Sequence, residues 1–311
     1  MTNKEKYIEF CQTSGVYVSI FSQPWWLEAV SEGNWDVLIA EENGMVLAFN
    51  PYFFIPHSEG LEIRKAPLTQ NNGVILNYPT GLKYERKLAF ERKALRMIID
   101  QLEQMPLVSY RQYFHHSFTN WLPYFWKGFS QSTRYTYIIE ERDGEIISQN
   151  MSAKLRNQIK KAEKNVRVFE DMSIEAFYEF NKKTYERQNM DIPYSFDIAS
   201  RIDDACRKRG AAKILYAIDS NDNMHSAIYL VEDAKAVYYL LSGSDERYRD
   251  SQSLSLLIKK GIEYAISVDK DFDFEGSMKE NIESHFAQFG SVQKAYMDIK
   301  KDYSGLKKEK K

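Results

Sequence analysis

The most regular pattern of apolar and polar positions lies in the second half of the chain. Residues 213–218 (KILYAI), 224–231 (MHSAIYLV) and 236–242 (AVYYLLS) are rich in β-branched and aromatic residues and are separated by the turn-forming segments DSND and EDAK. They predict a meander of three antiparallel strands. In SQSLSLLIKKGIEYAIS, which follows, Leu254, Leu257, Ile258, Gly261, Ile262 and Ala265 recur at helical spacing, so an amphipathic helix is expected to cover the meander. Next comes FDFEGSMKENIESHFAQFG, residues 272–290. Period-two alternation puts Phe272 and Phe274 on one face of a strand and Asp273 and Glu275 on the other. Ser277 with Glu280 reads as a capping box that opens a helix; Ile282, Phe286 and Phe289 form its apolar stripe, and Gly290 suits a left-handed cap at its end. An alternating run, VQKAYMDIK, closes the pattern.

The first half repeats this order. DVLIAE and MVLAFNPYFF flank the turn ENG, LEIRKA is a third strand, and Tyr84–Gln104 is strongly helical with Leu88, Leu95, Ile99 and Leu102 on its core face. LVSYRQYF is then a strand, and FTNWLPYFWKGFSQSTRYTYII echoes the later helix, glycine and alternating strand. Two copies of a β-β-β-α-β-α-β unit describe the chain, an α/β protein with mixed sheets (α+β). The boundaries drawn from this repeat are 1–145 for an N-terminal domain, 146–300 for a C-terminal domain and 301–311 for a frayed basic tail. Helices are expected between the copies. MSAKLRNQIKKAEKN has Leu155, Ile159 and Ala162 on one stripe and lysines around the rest; SIEAFYEFNKKTYERQ and residues 196–209 are two more.

Composition narrows the function classes. At 311 residues, two domains are the better expectation, and 43% hydrophobic residues furnish their cores. A formal charge of -2 means that any contact with nucleic acid must come from a local patch. Cys11 and Cys206 form no CxxC pair, which fits a reducing compartment without a disulfide framework. MTNKEKYIEFCQ has neither a long apolar run nor a cleavage site, so neither signal peptide nor membrane anchor is read there, and a cytoplasmic protein without a transmembrane segment is expected. The five histidines show no HExxH and no zinc-ligand spacing, so no metal is expected. Walker, GxGxxG, GxSxG and kinase signatures are missing as well.

Three stretches carry candidate chemistry. Glu275 is an acid at the carboxyl end of a strand facing a helix start, either a hydrogen-bonded structural acid or a functional one. Ser242, Gly243 and Ser244 end the third meander strand, and DERYRDSQS leads into a helix N-terminus, where Arg247, Arg249, Ser251 and Ser253 could hold a phosphate or merely cap the helix. The basic helix around Arg156 could meet phosphates or be a solvated face. His285 falls on or near an apolar stripe, which suits a core histidine, and Trp25 and Trp26 suit either core or cleft.

RYTYIIE, LRNQIKKAEKNVRV, TYERQNMDIPY, AVYYLLSGSDERY and FDFEGSMKENIESHFAQFGS, in this order, resemble the Fem-type branch of the GNAT acyltransferase superfamily, as does PLTQNNGVIL in the first half. The resemblance spans residues 25–300 and implies two tandem GNAT-like domains. It implies transfer of an acyl group to an amine: true Fem proteins use aminoacyl-tRNA to build peptidoglycan cross-bridges, and relatives use acyl-CoA. The co-substrate is therefore acyl-CoA or aminoacyl-tRNA, which would make tRNA a partner, and the acceptor is a small-molecule or peptidoglycan-precursor amine. By similarity, the donor lies between the strand at Tyr238 to Ser244 and that at Phe272 to Glu275. Glu275 is then the candidate base, Tyr239 or Ser277 the donor to the tetrahedral intermediate, and Arg156 and Arg187 substrate-binding cations. The glycine pair usual for a pyrophosphate loop is missing from RYRDSQSLSLL, and no coiled-coil arm is present. An acetyl-CoA-dependent small-molecule N-acetyltransferase and a catalytically silent binding module are the alternatives.

Overall fold

The computed structural model describes residues 1–170, 172–186 and 189–304. The chain forms two compact units, Met1–Arg134 together with Ala295–Lys311, and Tyr135–Lys294. The division therefore falls within two strands and not at residue 145. A boundary read from the repeat assumes that each domain is contiguous, whereas the end of the chain returns to pair with the first unit, Asp298 opposite Tyr113. The tail also begins later than expected: Lys301 and Asp302 are still in the strand, and Tyr303 is buried, with its hydroxyl on Glu103 at 3.0 Å. Residues 305–311 lie outside the described residues.

In the first unit, helices α1 (Asn3–Thr13) and α2 (Pro24–Ser31) precede strands β1 (Trp35–Glu42), β2 (Met45–His57), β3 (Gly60–Arg64) and β4 (Ile75–Leu76). Then follow α3 (Tyr84–Gln104), β5 (Leu107–Tyr113), the one-turn α4 (Leu122–Trp126) and β6 (Ser130–Ile139). The predicted hairpin forms, with Glu42 opposite Met45 across a two-residue Asn-Gly turn. β2 pairs antiparallel with β3, and β3 runs parallel to β5, as a connection through a helix allows. Ala94, Leu95, Ile98, Ile99 and Leu102 of α3 pack on Leu38, Leu47, Ile63 and Tyr110 of the sheet. This is the stripe that the sequence spacing predicts, except that Leu88 is only half-buried at its start.

The second unit contains α5 (Gly144–Asn150), α6 (Ala153–Asn165), β7 (Arg167–Phe169), α7 (Ile174–Glu186) and α8 (Phe196–Arg207). The meander β8 (Ala212–Ile218), β9 (Met224–Glu232) and β10 (Ala236–Ser244) comes next, followed by α9 (Ser253–Ser267), β11 (Asp271–Asp273) and α10 (Glu280–Ala287); β12 (Val292–Asp302) starts in this unit and belongs to the first from Ala295 on. β9 is buried continuously from His225 to Val231 because both of its faces are covered. On one face Ile228 and Leu230 join Leu256, Leu257, Ile258 and Ile262 of α9 and Leu155 and Ile159 of α6 in one core; on the other, the Tyr229 ring lies 5.8 Å from Phe177 of α7. Each such large side chain contributes about 1.5–3 kcal/mol by leaving water. The meander is thus a rigid base for what projects from its carboxyl ends.

Candidate active site

β10 and β11 are parallel neighbours, but they pair only at Ala236 with Asp271, Val237 with Phe272 and Tyr238 with Asp273. β10 then continues to Ser244 along β9, while β11 stops. The two strands part at Tyr238 and Asp273. After the stop, Phe274 donates its N–H to the Tyr137 carbonyl at 2.9 Å, and Glu275 and Gly276 both adopt left-handed backbone, φ +59° and +67°. A side chain at Gly276 is excluded by space as well, since a Cβ there would lie 1.9 Å from the Tyr135 carbonyl oxygen. The close approach to β6 forces the turn.

The alternation expected for FDFE is corrected accordingly. Phe272 and Phe274 are buried at 1% exposure, as expected, but Asp273 is also buried at 3%, and Glu275 is half-buried in the turn and not on a strand face. The Asp273 carboxylate accepts from the Thr136 hydroxyl, and its Oδ1 accepts the Glu275 N–H at 2.7 Å. A buried acid thus fixes the turn that carries Glu275. The expected capping box at Ser277 is absent: its Oγ accepts the Lys279 N–H at 3.0 Å, and α10 starts at Glu280 with Lys279 as a cap that makes no side-chain bond. The hydroxyl is used within its own two-residue turn, so it does not reach Glu280. Past α10, Gly290 is left-handed at φ +76°, as its position implies. Tyr239 follows Tyr238 on β10, and its ring lies 6.1 Å from Phe286 and 6.5 Å from Phe274. Burial pushes its hydroxyl well above the usual tyrosine range, so it stays protonated and able to donate.

The far end of β10 is clasped by α7. Asn181, fully buried, donates its Nδ2 to the Ser242 carbonyl at 2.5 Å and accepts the Tyr194 hydroxyl on Oδ1 at 2.5 Å; the Ser244 N–H donates to Thr184 Oγ1 at 3.1 Å. Gly243 lies under Phe180, where a Cβ would come within 2.9 Å of the ring. Beyond Ser244, residues Glu246–Ser251 form a 3-10 turn whose Tyr248 ring lies flat on His225, 4.1 Å between centroids. Arg247 folds back on Asp245 at 2.7 Å, and Arg249 is exposed. Ser251 Oγ accepts the Ser253 N–H at 3.3 Å, and Ser253 Oγ accepts the Ser226 hydroxyl at 2.8 Å under the helix. α9 opens from Gln252, φ +60°, whose side chain makes no capping hydrogen bond, unlike Ser152 and Ser195 at the starts of α6 and α8; of its first N–H groups, that of Ser253 is taken by Ser251.

Other candidates fall elsewhere. Arg156 donates Nη1 to the carbonyls of Ser148, Gln149 and Met151, closing the carboxyl end of α5. Arg187 lies outside the described residues. Trp26 is core, its Nε1 on Thr69 Oγ1 at 3.0 Å. His285 is half-buried against Phe289, and burial lowers its pKa from 6.5, leaving it neutral at pH 7. The sequence reading missed Asp273, Thr136, Asn181 and Tyr194. Asn181 alone left a local sign, as a polar residue four positions after Phe177 on the apolar stripe of α7.

Residues 149–277 match the family described as acetyltransferase (GNAT) domain, a span that includes β10, α9, β11 and the left-handed pair. No curated protein matches the sequence. Among solved structures, FemX is similar with a TM-score of 0.69 at 12% identity over 96% of each chain. A tandem GNAT protein from the clavulanic acid biosynthesis pathway gives a TM-score of 0.56 at 7% identity, over 96% of this chain and 94% of that one. L-PGS from Bacillus licheniformis gives 0.54 at 9% identity, over 95% and 90%. At these identities the likeness is one of fold, and it extends across both units. Residues 149–277 therefore match a GNAT acetyltransferase domain, and the chain as a whole has a two-unit fold similar to that of FemX and of the tandem GNAT protein.

Proposed function

We propose that the second unit transfers an acyl or aminoacyl group to an amine, with the donor lying along the edge of β10 where β11 has left it. The observation that carries this is the parting of the two strands at Tyr238 and Asp273, with Glu275 held in left-handed backbone just beyond. Unfavourable backbone retained at a strand end is characteristic of working sites. Glu275 takes the proton that the attacking amine must lose, and the Tyr239 hydroxyl, or Ser277, donates to the oxyanion of the tetrahedral intermediate. The donor's thiol or ribose hydroxyl leaves as the intermediate collapses, with the acyl group now on nitrogen.

The start of α9, which the Gln252 side chain does not cap, favours a donor that brings a phosphate, with the exposed Arg249 three residues before Gln252. Both acyl-CoA and aminoacyl-tRNA satisfy this. The resemblance to Fem proteins favours a cell-envelope precursor amine as the acceptor, in a cytoplasmic setting; it would also make Arg156 and Arg187 binding cations, a role for which Arg156, its Nη1 on three carbonyls at the end of α5, would have to use its remaining N–H groups. Among the described residues, no helix is long and apolar enough to cross a membrane.

The test is thermal unfolding with and without millimolar acetyl-coenzyme A, followed by transfer of labelled acetyl or aminoacyl groups to a panel of amines. A ligand that binds only the folded state raises the midpoint. A rise with acetyl transfer would assign acyl-CoA; no rise, with label passing from aminoacyl-tRNA, would assign the tRNA donor. Binding without transfer to any amine would overturn the catalytic reading and leave a silent module.

A further inference from the structure

We propose that Arg111, Arg134 and Lys65, gathered around the Tyr113 ring, form a site for a phosphate group in the first unit. Asp298 lies opposite Tyr113 where β12 pairs with β5, so the two side chains share one face of the sheet, and Arg111, two positions before Tyr113, shares it too. The Asp298 carboxylate is buried and takes Arg111 in a fork, accepting Nε on Oδ1 at 2.9 Å and Nη2 on Oδ2 at 2.7 Å. Its Oδ2 also accepts Arg134 Nε and the Ser132 hydroxyl, both at 3.3 Å. A buried acid thus locks two guanidiniums side by side.

What the lock leaves over faces solvent. Arg111 Nη1 and both Nη groups of Arg134 make no hydrogen bond among the described residues, and the two side chains are 44% and 32% exposed. The guanidiniums lie 5.3 and 4.9 Å from the centre of the Tyr113 ring, and Lys65 Nζ lies 5.4 Å from it. Two guanidiniums share one carboxylate, so a positive charge is left over before Lys65 is counted. A solvated sheet face ordinarily sets opposite charges across its strands, and like charges side by side are destabilising. Folding therefore does not explain why these cations converge on one ring. A single arginine would suit a carboxylate, whereas two pre-oriented guanidiniums with a lysine match the several oxygens and the double charge of a phosphate. The pocket beside the ring, which Arg64, Lys65 and Tyr113 help to line, has about 10 Å³ of space, enough for one oxygen. The phosphate thus rests on the sheet and is not enclosed. All of these residues belong to the first unit, and the site does not rest on the acyl-transfer reading.

The full chain is titrated calorimetrically with inorganic pyrophosphate, and with acetate at the same ionic strength. The expected result is saturable binding of pyrophosphate only, weakened at least about tenfold by Arg134→Gln. That variant leaves Arg111 in its fork on Asp298, so it should melt close to the parent. Arg134→Lys keeps the charge without the fork and should bind with intermediate affinity. Arg249→Gln, before the start of α9, should bind pyrophosphate like the parent, which separates this site from the donor edge. Tighter binding of ADP than of pyrophosphate would identify an organic diphosphate as the source of the phosphate, and equal or weaker binding the free anion; Arg134→Gln must weaken either. Absence of binding, binding that Arg134→Gln retains, or weakening by Arg249→Gln alone would overturn the proposal. So would a single-stranded oligoribonucleotide bound at least about tenfold more tightly than both, which would make this face a nucleic-acid surface.

Discussion

The Glu275 N–H donates to the carboxylate of Asp273 across 2.7 Å, so a buried acid holds a half-buried one at the place where β11 leaves β10. The same carboxylate receives the Thr136 hydroxyl from β6. Asp273→Ala removes the acceptor of both donors inside the unit, and a buried donor left unmade costs about 1–3 kcal/mol. The variant should lose about 2 kcal/mol or more and melt several degrees lower. An unchanged melting temperature would mean that the turn does not depend on Asp273.

Glu275 has φ +59°, which costs an L-residue about 1–2 kcal/mol relative to right-handed backbone. Glycine adopts this conformation without that strain, at the cost of a more flexible unfolded chain. Glu275→Gly should therefore be as stable as the parent or gain about 0.5 kcal/mol, while its acyl transfer falls by about 100-fold or more, the range for loss of a general base. Glu275→Gln keeps the strain and should lose turnover equally. Turnover retained in Glu275→Gln would remove the base assignment, whereas a melting temperature lowered in Glu275→Gly would show that the side chain supports the turn.

Gly276 carries the opposite expectation. A methyl group there meets backbone at 1.9 Å, not a flexible side chain, and φ is +67°. Gly276→Ala should cost more than about 3 kcal/mol, since either β6 or the turn must move. Gly15, with φ +68° and open space around it, isolates the conformational part: Gly15→Ala should cost only about 1 kcal/mol. Equal losses in urea unfolding of the two variants would show that the close approach to β6 is unimportant.

How much of this was legible follows from which interactions are local. The limits of α3, the meander and the cover of α9 depend on spacing within one element, and the structure has them as the spacing implies. The order β-β-β-α-β-α-β could also be read along each half of the sequence, apart from the short β4, but not the exchange of the last strands, in which β12 pairs with β5 and β6 with β11. The burial of Asp273 was not legible, because alternation places it opposite Phe272 and Phe274 without showing that this second face is covered too, and its partner Thr136 lies 137 positions earlier. The left-handed Glu275 was hidden for a similar reason: it follows from the approach of Gly276 to β6, which no neighbouring residue encodes. The division of the units was misplaced because Asp298 pairs with Tyr113 across most of the chain. Asn181 was readable in principle, as an amide on an apolar stripe, yet its partner, the Ser242 carbonyl, is backbone and leaves no mark in the sequence.

Burial of His285 sets a pH dependence. Its folded-state pKa lies below the ordinary 6.5, so the folded form favours the neutral ring. Above pH 6.5 neither state is protonated there and this contribution to stability is fully present. As pH falls through 6.5, the unfolded chain takes up the proton first and stability declines until the folded-state value is passed. His285→Leu keeps the apolar contact with Phe289 and removes the titration. Its melting temperature should fall less steeply than the parent's between pH 7 and pH 5. Identical slopes would place the pH dependence elsewhere.

Asn181 offers a way to separate shape from chemistry at the donor edge. Its amide spans the Ser242 carbonyl and the Tyr194 hydroxyl, and it touches none of the groups assigned to proton transfer. Asn181→Ala leaves two buried polar groups without their partner, so a loss of about 2–4 kcal/mol is expected. Asn181→Asp can still accept from Tyr194 but cannot donate to Ser242, and it brings a charge into a fully buried position. It should be destabilised at least as much as alanine, and increasingly so as pH rises above the carboxylate range, because the unfolded chain ionises there more readily. If the strand end that Asn181 tethers positions the donor, Asn181→Ala assayed below its melting transition should raise KM for the donor while kcat stays within about threefold. A fall in kcat with KM unchanged would instead tie the tether to the reacting centre, and would move the donor away from the far end of β10.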